Sequence, residues 1–297
     1  MNLKSIRLLL GILIVCGCGT KQNDTNEPVR LVELSFIDSV EIRESHGFLV
    51  HPNETHLIND TLLGVSSTHS KGIWIFDQRS GKEHFSITDG SFHDISFYPS
   101  KVFFGKYPTL FILDGLSQNI LQLEIGSEMD KEAAQIQKIN LDLPKGTWVT
   151  PLAKTFWVDD ENFYLEISPE KIKKSSIQYY KKAGEFIGVF GKNGSFRNRI
   201  ISYPKSLTEL AGFLETSQVY SSGLLDPKTP IFTFPSEKVL LIVTGLDTTP
   251  KTTFIQFPSS IYFDFTLPVL EKEVSGGLEA KNPQLHFFGE VKSDGKN

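Results

Sequence analysis

The chain has 297 residues and a formal charge of −5, with 30 Lys and Arg against 35 Asp and Glu. That acidic balance argues against a nucleic-acid partner, because neutralising phosphates takes a concentrated basic surface. Twenty-three Phe, 11% aromatics, and 15 Pro and 23 Gly scattered at short intervals exclude a bundle of long helices and suit brief pleated strands.

The first element is a leader. Lys4 and Arg7 precede the apolar run Leu8 to Val15, which closes on Val15-Cys16-Gly17-Cys18. The run is too short to span a bilayer, which takes ~20 such residues. Cation, apolar run and Gly-Cys in this order predict a secretory signal peptide of lipoprotein type over residues 1–17, with Cys18 left as the lipidated N-terminus. The competing reading makes the run a buried first strand and the two cysteines ordinary thiols. Losing Lys4 and Arg7 with the leader would move the charge from −5 to −7. Both cysteines lie in this segment, so the rest of the chain is expected to be held by its core without disulfides. Two or more acyl chains anchor stably, at ~0.8 kcal/mol per buried CH₂. Residues 18–28, ending in GTKQNDTNEP, read as the lipidated Cys and a polar tether, and residues 29–297 as one domain.

Alternation from Val29 predicts strand material over 29–43. Gly72 to Ile87 reads as a hairpin around Asp77-Gln-Arg-Ser-Gly81, and Leu110 to Ile125 as a related one around Asp114. Ser127 to Gln137 is polar and rich in helix formers, so it reads as a helical or loop insertion. Thr155 to Ile167 offers a strand pair about Asp159 and Asp160. Pro169 to Lys182 is a second insertion that carries the clearest basic cluster, best read as a solvated face. Phe186 to Ile201 is a third hairpin turning at Asn193-Gly194. A short helix is expected over Ser206 to Thr216, with Ser206 and Glu209 as a capping box. Pro230 to Val243 is another strand pair, and Ile261 to Phe265 a weaker repeat of the hairpin pattern.

Turn positions 77, 114, 191 and 264 lie 37, 77 and 73 residues apart, one, two and two steps of a similar period. A period near 40 residues of short strands is the mark of propeller blades, which bury their faces only when stacked. The fold expected is therefore all-β, a β-propeller of about six blades of short antiparallel strands. An irregular β-sandwich with chance spacing is the alternative.

The order of lipobox, polar tether and hairpins such as IWIFDQRSGK and IGVFGKNGSFRNRII resembles TolB-like six-bladed β-propeller lipoproteins of Gram-negative bacteria. The resemblance covers most of the mature chain, on motifs generic to propellers. It implies a disc of radial sheets around a channel, a diacylglyceryl group on Cys18, and, with Gly19 rather than Asp after the cysteine, an outer-membrane location. It carries over no catalytic residue, since that family supplies no established active-site motif. The apolar start at Leu285-His-Phe-Phe288, close before Asn297, predicts a last blade that is incomplete or closed by the strand at 29–43.

No catalytic, metal or cofactor site is expected. His46, His51 and His56 lack the cysteine partners of a zinc motif, and no H-E-x-x-H is present. Gly188 to Asn193 fails the phosphate-loop pattern, and no Gly-x-Ser-x-Gly elbow is present. Binding candidates are the aromatics Phe97, Tyr98, Phe103, Phe104 and Tyr107, whose rings suit a glycan or peptide but equally suit a core, and the carboxylates Asp159 and Asp160. Turn chemistry accounts for Asp159-Asp-Glu-Asn162 without a ligand. The function expected is a lipid-anchored, monomeric binding module of the cell envelope, with an envelope protein or glycan as partner. The alternative is a metal-dependent hydrolase or lactonase using Asp159, Asp160 and His93 in the channel; a scaffold subunit is a third reading.

Overall fold

The computed structural model describes residues 51–91, 97–126, 134–172, 177–208, 221–226, 228–234, 239–246 and 250–256, with Ser39, Glu41, Ile42 and Leu49 besides. The leader, Cys18, the tether, the pattern at 261–265 and the apolar start at 285–288 lie outside these residues. So does the strand expected at 29–43, apart from Ser39, Glu41 and Ile42, which belong to no strand. Two compact units divide the chain, Met1–Ser39 and Val40–Asn297, and every element below belongs to the second.

Four four-stranded antiparallel sheets follow one another along the chain, each an up-and-down meander. Blade I is β1 (Glu54–Leu57), β2 (Leu62–Ser67), β3 (Gly72–Asp77) and β4 (Glu83–Thr88). Blade II is β5 (Pro99–Lys106), β6 (Thr109–Asp114), β7 (Asn119–Glu124) and β8 (Gln135–Asn140). A small pair, β9 (Thr147–Trp148) with β12 (Ser168–Pro169), brackets the start of blade III. Blade III itself is β10 (Phe156–Val158), β11 (Asn162–Glu166), β13 (Glu185–Gly191) and β14 (Phe196–Ser202). Helix α1 (Ile177–Ala183) lies between β11 and β13, and the single turn α2 (Lys205–Thr208) follows β14. Blade IV is β15 (Ser221–Asp226), β16 (Thr229–Phe234), β17 (Val239–Thr244) and β18 (Lys251–Gln256).

Side chains alternate between two buried faces rather than between core and water. In β6, Leu110 and Ile112 join Ile73, Ile75, Phe85 and Ile87 of blade I, while Phe111 and Leu113 join Val158, Phe163 and Leu165 of blade III. In β11, Phe163 and Leu165 face blade II and Tyr164 faces Phe232 and Phe234 of blade IV. A two-sheet sandwich would leave each sheet one polar face. Consecutive meanders stacked on both faces are instead the blades of a β-propeller, and four of them stand among the described residues.

Polar strand ends build the turns. Asp77 Oδ1 accepts from Arg79 N, Ser80 N and Ser80 Oγ, and Asp114 Oδ1 from Leu116 N and Ser117 N. Asn193 Oδ1 does the same for Ser195, and Gly194 takes φ +82. Gly194 also meets the neighbouring blade: its carbonyl accepts from Asp142 N at 2.9 Å, just beyond β8.

Three expectations need correction. Gln135 to Gln137 are strand, part of β8, because Ile136 and Ile139 are needed to pair and pack against β7; residues 127–133 lie outside the described set. Ser206 sits inside α2, which begins at Lys205, rather than at its N-cap, and residues 209–220, Glu209 among them, lie outside the described set. The 37-residue step pairs unlike turns, since Asp77 ends the third strand of its blade and Asp114 the second. First strands begin at 54, 99, 156 and 221, so the true steps are 45, 57 and 65 residues. The 57-residue step is stretched by the chain between β8 and β10 that carries β9, and the 65-residue step by β12 and α1 inside blade III and by the chain between β14 and β15.

The seam between blades III and IV holds Tyr179 and Tyr180 of α1, both fully buried. Burial, and then the charge of Glu166, push both phenols far above their ordinary range. Above pH 10 the unfolded chain therefore sheds phenolic protons that the folded chain keeps, so stability falls as pH rises. Tyr180 Oη has no hydrogen-bond partner among the described residues, so Tyr180→Phe forfeits no hydrogen bond there. The expected result is that Tyr180→Phe gains on the wild type above pH 10, by up to about tenfold in the unfolding equilibrium per pH unit. Parallel urea melts at pH 9 to 11.5 measure it; a constant gap between the two proteins contradicts it.

Candidate functional site

The first strand of each of the four described blades lines one cavity of about 670 Å³, with contributions from β1, β5, β10 and β15. This is the channel that the stacking of blades creates. Its walls are largely apolar: Leu63, Phe103, Phe104, Phe156, Trp157 and Leu224. Trp157 lies flat on Tyr164, with centroids 4.8 Å apart and planes 5° from parallel, and its Nε1 has no hydrogen-bond partner among the described residues. Phe156 stacks on Phe163 at 6.5 Å. Phe104 is set by a glycine, because a Cβ on Gly64 would stand 2.5 Å from its ring.

Polar groups in the channel join neighbouring blades. Glu54 of β1, 6% exposed, forms an ion pair with Lys101 of β5 and accepts from Val102 N at 3.4 Å. His56 Nε2 lies 3.8 Å from the same carboxylate. On the other side Thr155 Oγ1 donates to Ser222 Oγ at 2.9 Å, and Ser222 Oγ donates to Lys154 O at 3.2 Å. A carboxylate removed from water but joined to an ammonium and a backbone N–H keeps its charge at tolerable cost.

Where β5 and β10 end, a second group of charges gathers. Lys106 Nζ donates to Asp160 Oδ1 at 2.6 Å, bridging blades II and III. Lys192 sits over the rings of Phe111 and Phe163, 4.8 and 4.6 Å from their centroids. The Asp160 carboxyl is held below its usual range, first by the Lys106 hydrogen bond and charge and then by the charges of Lys228 and Lys192. Lys192 is drawn down to about 8 by burial and by the like charge of Lys106, against the pull of Asp159 and Asp160. That gives three amines from three blades.

The expected site residues scatter. Phe103 and Phe104 line the channel. Phe97 is 2% exposed in the core between blades I and II, and half-buried Tyr107 packs against the same core, with burial raising its phenol pKa. Tyr98 N donates to Asp114 Oδ2 at 3.1 Å. Asp159 is buried in its turn, where Oδ1 accepts from Glu161 N and Asn162 N and Oδ2 from Tyr164 Oη at 2.7 Å. Asp160 points outward to Lys106. His93 lies outside the described residues, and among those described no three His, Cys, Asp or Glu side chains converge as a metal centre. Glu54, Lys101, Phe156, Trp157, Ser222 and Lys192 were not anticipated. A correct register for the repeat would have exposed most of them, because the first strand of a blade is the one at the hub.

No protein-family model matches the chain, and no curated protein matches it by sequence. Solved structures do resemble it. A streptogramin B lyase is 10% identical at a TM-score of 0.40, over 70% of this chain and 69% of that one. A protein of Bacteroides fragilis NCTC 9343 assigned as exported is 12% identical at 0.46, over 79% of this chain. A Lactobacillus plantarum protein is 15% identical at 0.39, over 71% of this chain. The chain spans 60% and 57% of the lengths of the last two.

Proposed function

We propose that the chain is an envelope lipoprotein, anchored through acyl chains on Cys18 to the outer membrane of a Gram-negative bacterium, whose propeller is a binding module that takes its ligand in the central channel. The observation that carries the binding reading is the channel itself: about 670 Å³, walled by the Phe and Trp rings of β5 and β10 and the β-branched or aliphatic groups between them. That volume lies in the range of small-molecule pockets, ~300–1,000 Å³, and the mix of apolar wall with a few placed polar groups is the usual composition of such pockets. Rings offer a flat face to an aromatic group or to the C–H face of a sugar. The hydrolase reading has less support, because Asp159 spends both carboxylate oxygens within its own turn and on Tyr164, and Asp160 is engaged by Lys106.

The test is a calorimetric titration of the full chain in detergent with 2-naphthalenemethanol, using protein-free micelles as the blank. Saturable binding is expected, and Phe156→Leu, which keeps bulk but loses the ring, should weaken it roughly three- to tenfold. Heat equal to the blank sinks the channel reading. The anchor is tested separately by mass spectrometry of the membrane-extracted protein, where a diacylated Cys18 at the N-terminus is expected.

A further inference from the structure

Resting on the channel as the binding site, we infer that its ligand is a neutral sugar. Its hydroxyl groups donate to a belt of acceptors at one end of the channel, and its C–H face lies on the rings beyond. Each four-stranded meander returns the chain to the end from which it set out, so the first strands of the described blades all enter the channel from the same end. Glu54 opens β1, Ser222 is second in β15, Lys101 is third in β5, and Thr155 directly precedes β10. All four line the cavity. They form a polar belt at the entry end, and the rings of Phe103, Phe104 and Phe156 follow along the same strands, at ~3.3 Å per residue.

The belt is built to accept hydrogen bonds. Ser222 Oγ sends its proton to Lys154 O at 3.2 Å, and Thr155 Oγ1 sends its own to Ser222 Oγ at 2.9 Å. Both hydroxyl protons are thus spent inside the wall, and Ser222 Oγ is left with a lone pair to offer. Glu54, an ion-paired carboxylate, can only accept. Lys101 Nζ and Val102 N take two of its roughly four lone-pair sites, with His56 Nε2 3.8 Å away. A matching ligand therefore brings O–H or N–H donors to two places, the joint of blades I and II and the joint of blades III and IV. Net charge on the ligand gains nothing, because an ammonium would meet Lys101 and a carboxylate would meet Glu54. A pyranose meets all three demands at once: hydroxyls radiate from its rim, its faces are C–H, and it is neutral. Stacking of such a face on an aromatic ring accounts for rings placed directly beyond the belt.

Three probes with one aromatic body separate these demands: 2-naphthyl β-D-glucopyranoside, 2-naphthalenemethanol and the cationic 2-naphthylmethylamine. Each is titrated calorimetrically at pH 7 into the full chain, in a detergent without a sugar headgroup. The glucoside should bind at least tenfold more tightly than the alcohol, and the amine should not overtake it. Glu54→Gln trades a carboxylate oxygen for a donor at constant shape, and should cut glucoside affinity roughly tenfold and that of the alcohol far less. Ser222→Ala deletes one hydroxyl and should cut glucoside affinity several-fold by itself, so the outcome does not hang on a single variant. A glucoside that binds no better than the alcohol, or whose advantage survives both substitutions, overturns the inference and leaves the channel reading standing. Tighter binding of the amine also overturns it, in favour of a cationic ligand. Binding of no probe overturns the channel reading as well.

Discussion

Phe186→Ala is expected to destabilise the propeller by about 3–5 kcal/mol, the range for truncating a fully enclosed aromatic. The ring is wholly buried on β13 and lies on Tyr203 at 4.1 Å, with planes 16° apart. It meets Phe232 and Phe234 of blade IV edge-on, at 6.1 and 6.3 Å with interplanar angles of 84° and 86°. Alanine removes the transfer energy of the ring and leaves a hole whose walls are rings of two sheets, which cannot collapse inward without breaking their ladders. Edge-to-face partners are lost as well, each at about 0.5–1.5 kcal/mol beyond area. Urea denaturation should show a lower midpoint at unchanged slope, and thermal melting a drop of roughly 10 °C. Phe186→Leu should recover more than half of the loss. A cost under about 1 kcal/mol for the alanine variant is incompatible with a close-packed seam between blades III and IV.

Gly194→Ala is expected to cost about 3 kcal/mol or more, although it adds one methyl group at a hairpin turn. Two penalties combine. The residue has φ +82, a region that costs an L side chain roughly 1–2 kcal/mol. The new Cβ would also stand 2.0 Å from the carbonyl oxygen of Asn140. That neighbour is backbone, in β8, and its residue pairs with Asn119 across the blade II ladder, so it has little freedom to retreat. The adjacent bond from Asp142 N to Gly194 O would be strained by the same movement. Gly191→Ala is the matched control: the nearest atoms to its Cβ would be side-chain atoms of Asn193, Ser195 and Arg197, at 3.0, 3.1 and 3.4 Å, rather than backbone. The two variants should differ by at least 2 kcal/mol in chemical denaturation, and similar small losses in both would mean that the blade II–III joint yields freely.

Much of the fold was legible because its information is local. Asp77, Asp114 and Asn193-Gly194 announce turns through their own hydrogen bonds, and the two-sided apolar runs such as Leu110 to Leu113 announce strands buried on both faces. The β8 strand was obscured because Gln135, Gln137 and Lys138 are exposed and their polarity mimics a helix surface; what makes them a strand is the ladder to β7, a property of another segment. The repeat period was close only for the first step, 45 residues, and its phase was wrong, since every hairpin looks alike until one knows which strand faces the hub. The site suffered most from that error. The pairing of Glu54 with Lys101, 47 residues apart, and of Thr155 with Ser222, 67 apart, depends on the angle between blades, which no short pattern encodes. Aromatics in the sequence divide into core and channel lining by the same angle: Phe97 went inward, Phe103 toward the hub.

Because each sheet is closed by hydrogen bonds to its own neighbours in sequence, blades are joined to one another mainly through side chains. A nascent chain can therefore complete one four-stranded unit before the next is made, and none of the described strands has to wait for a distant partner. The cost falls on the intermediate: a last-made blade exposes a broad greasy flank until its successor arrives. Assembly order is thus fixed by synthesis, and chaperone demand should peak between blades rather than at the end, a timing written into the topology before any ligand is met.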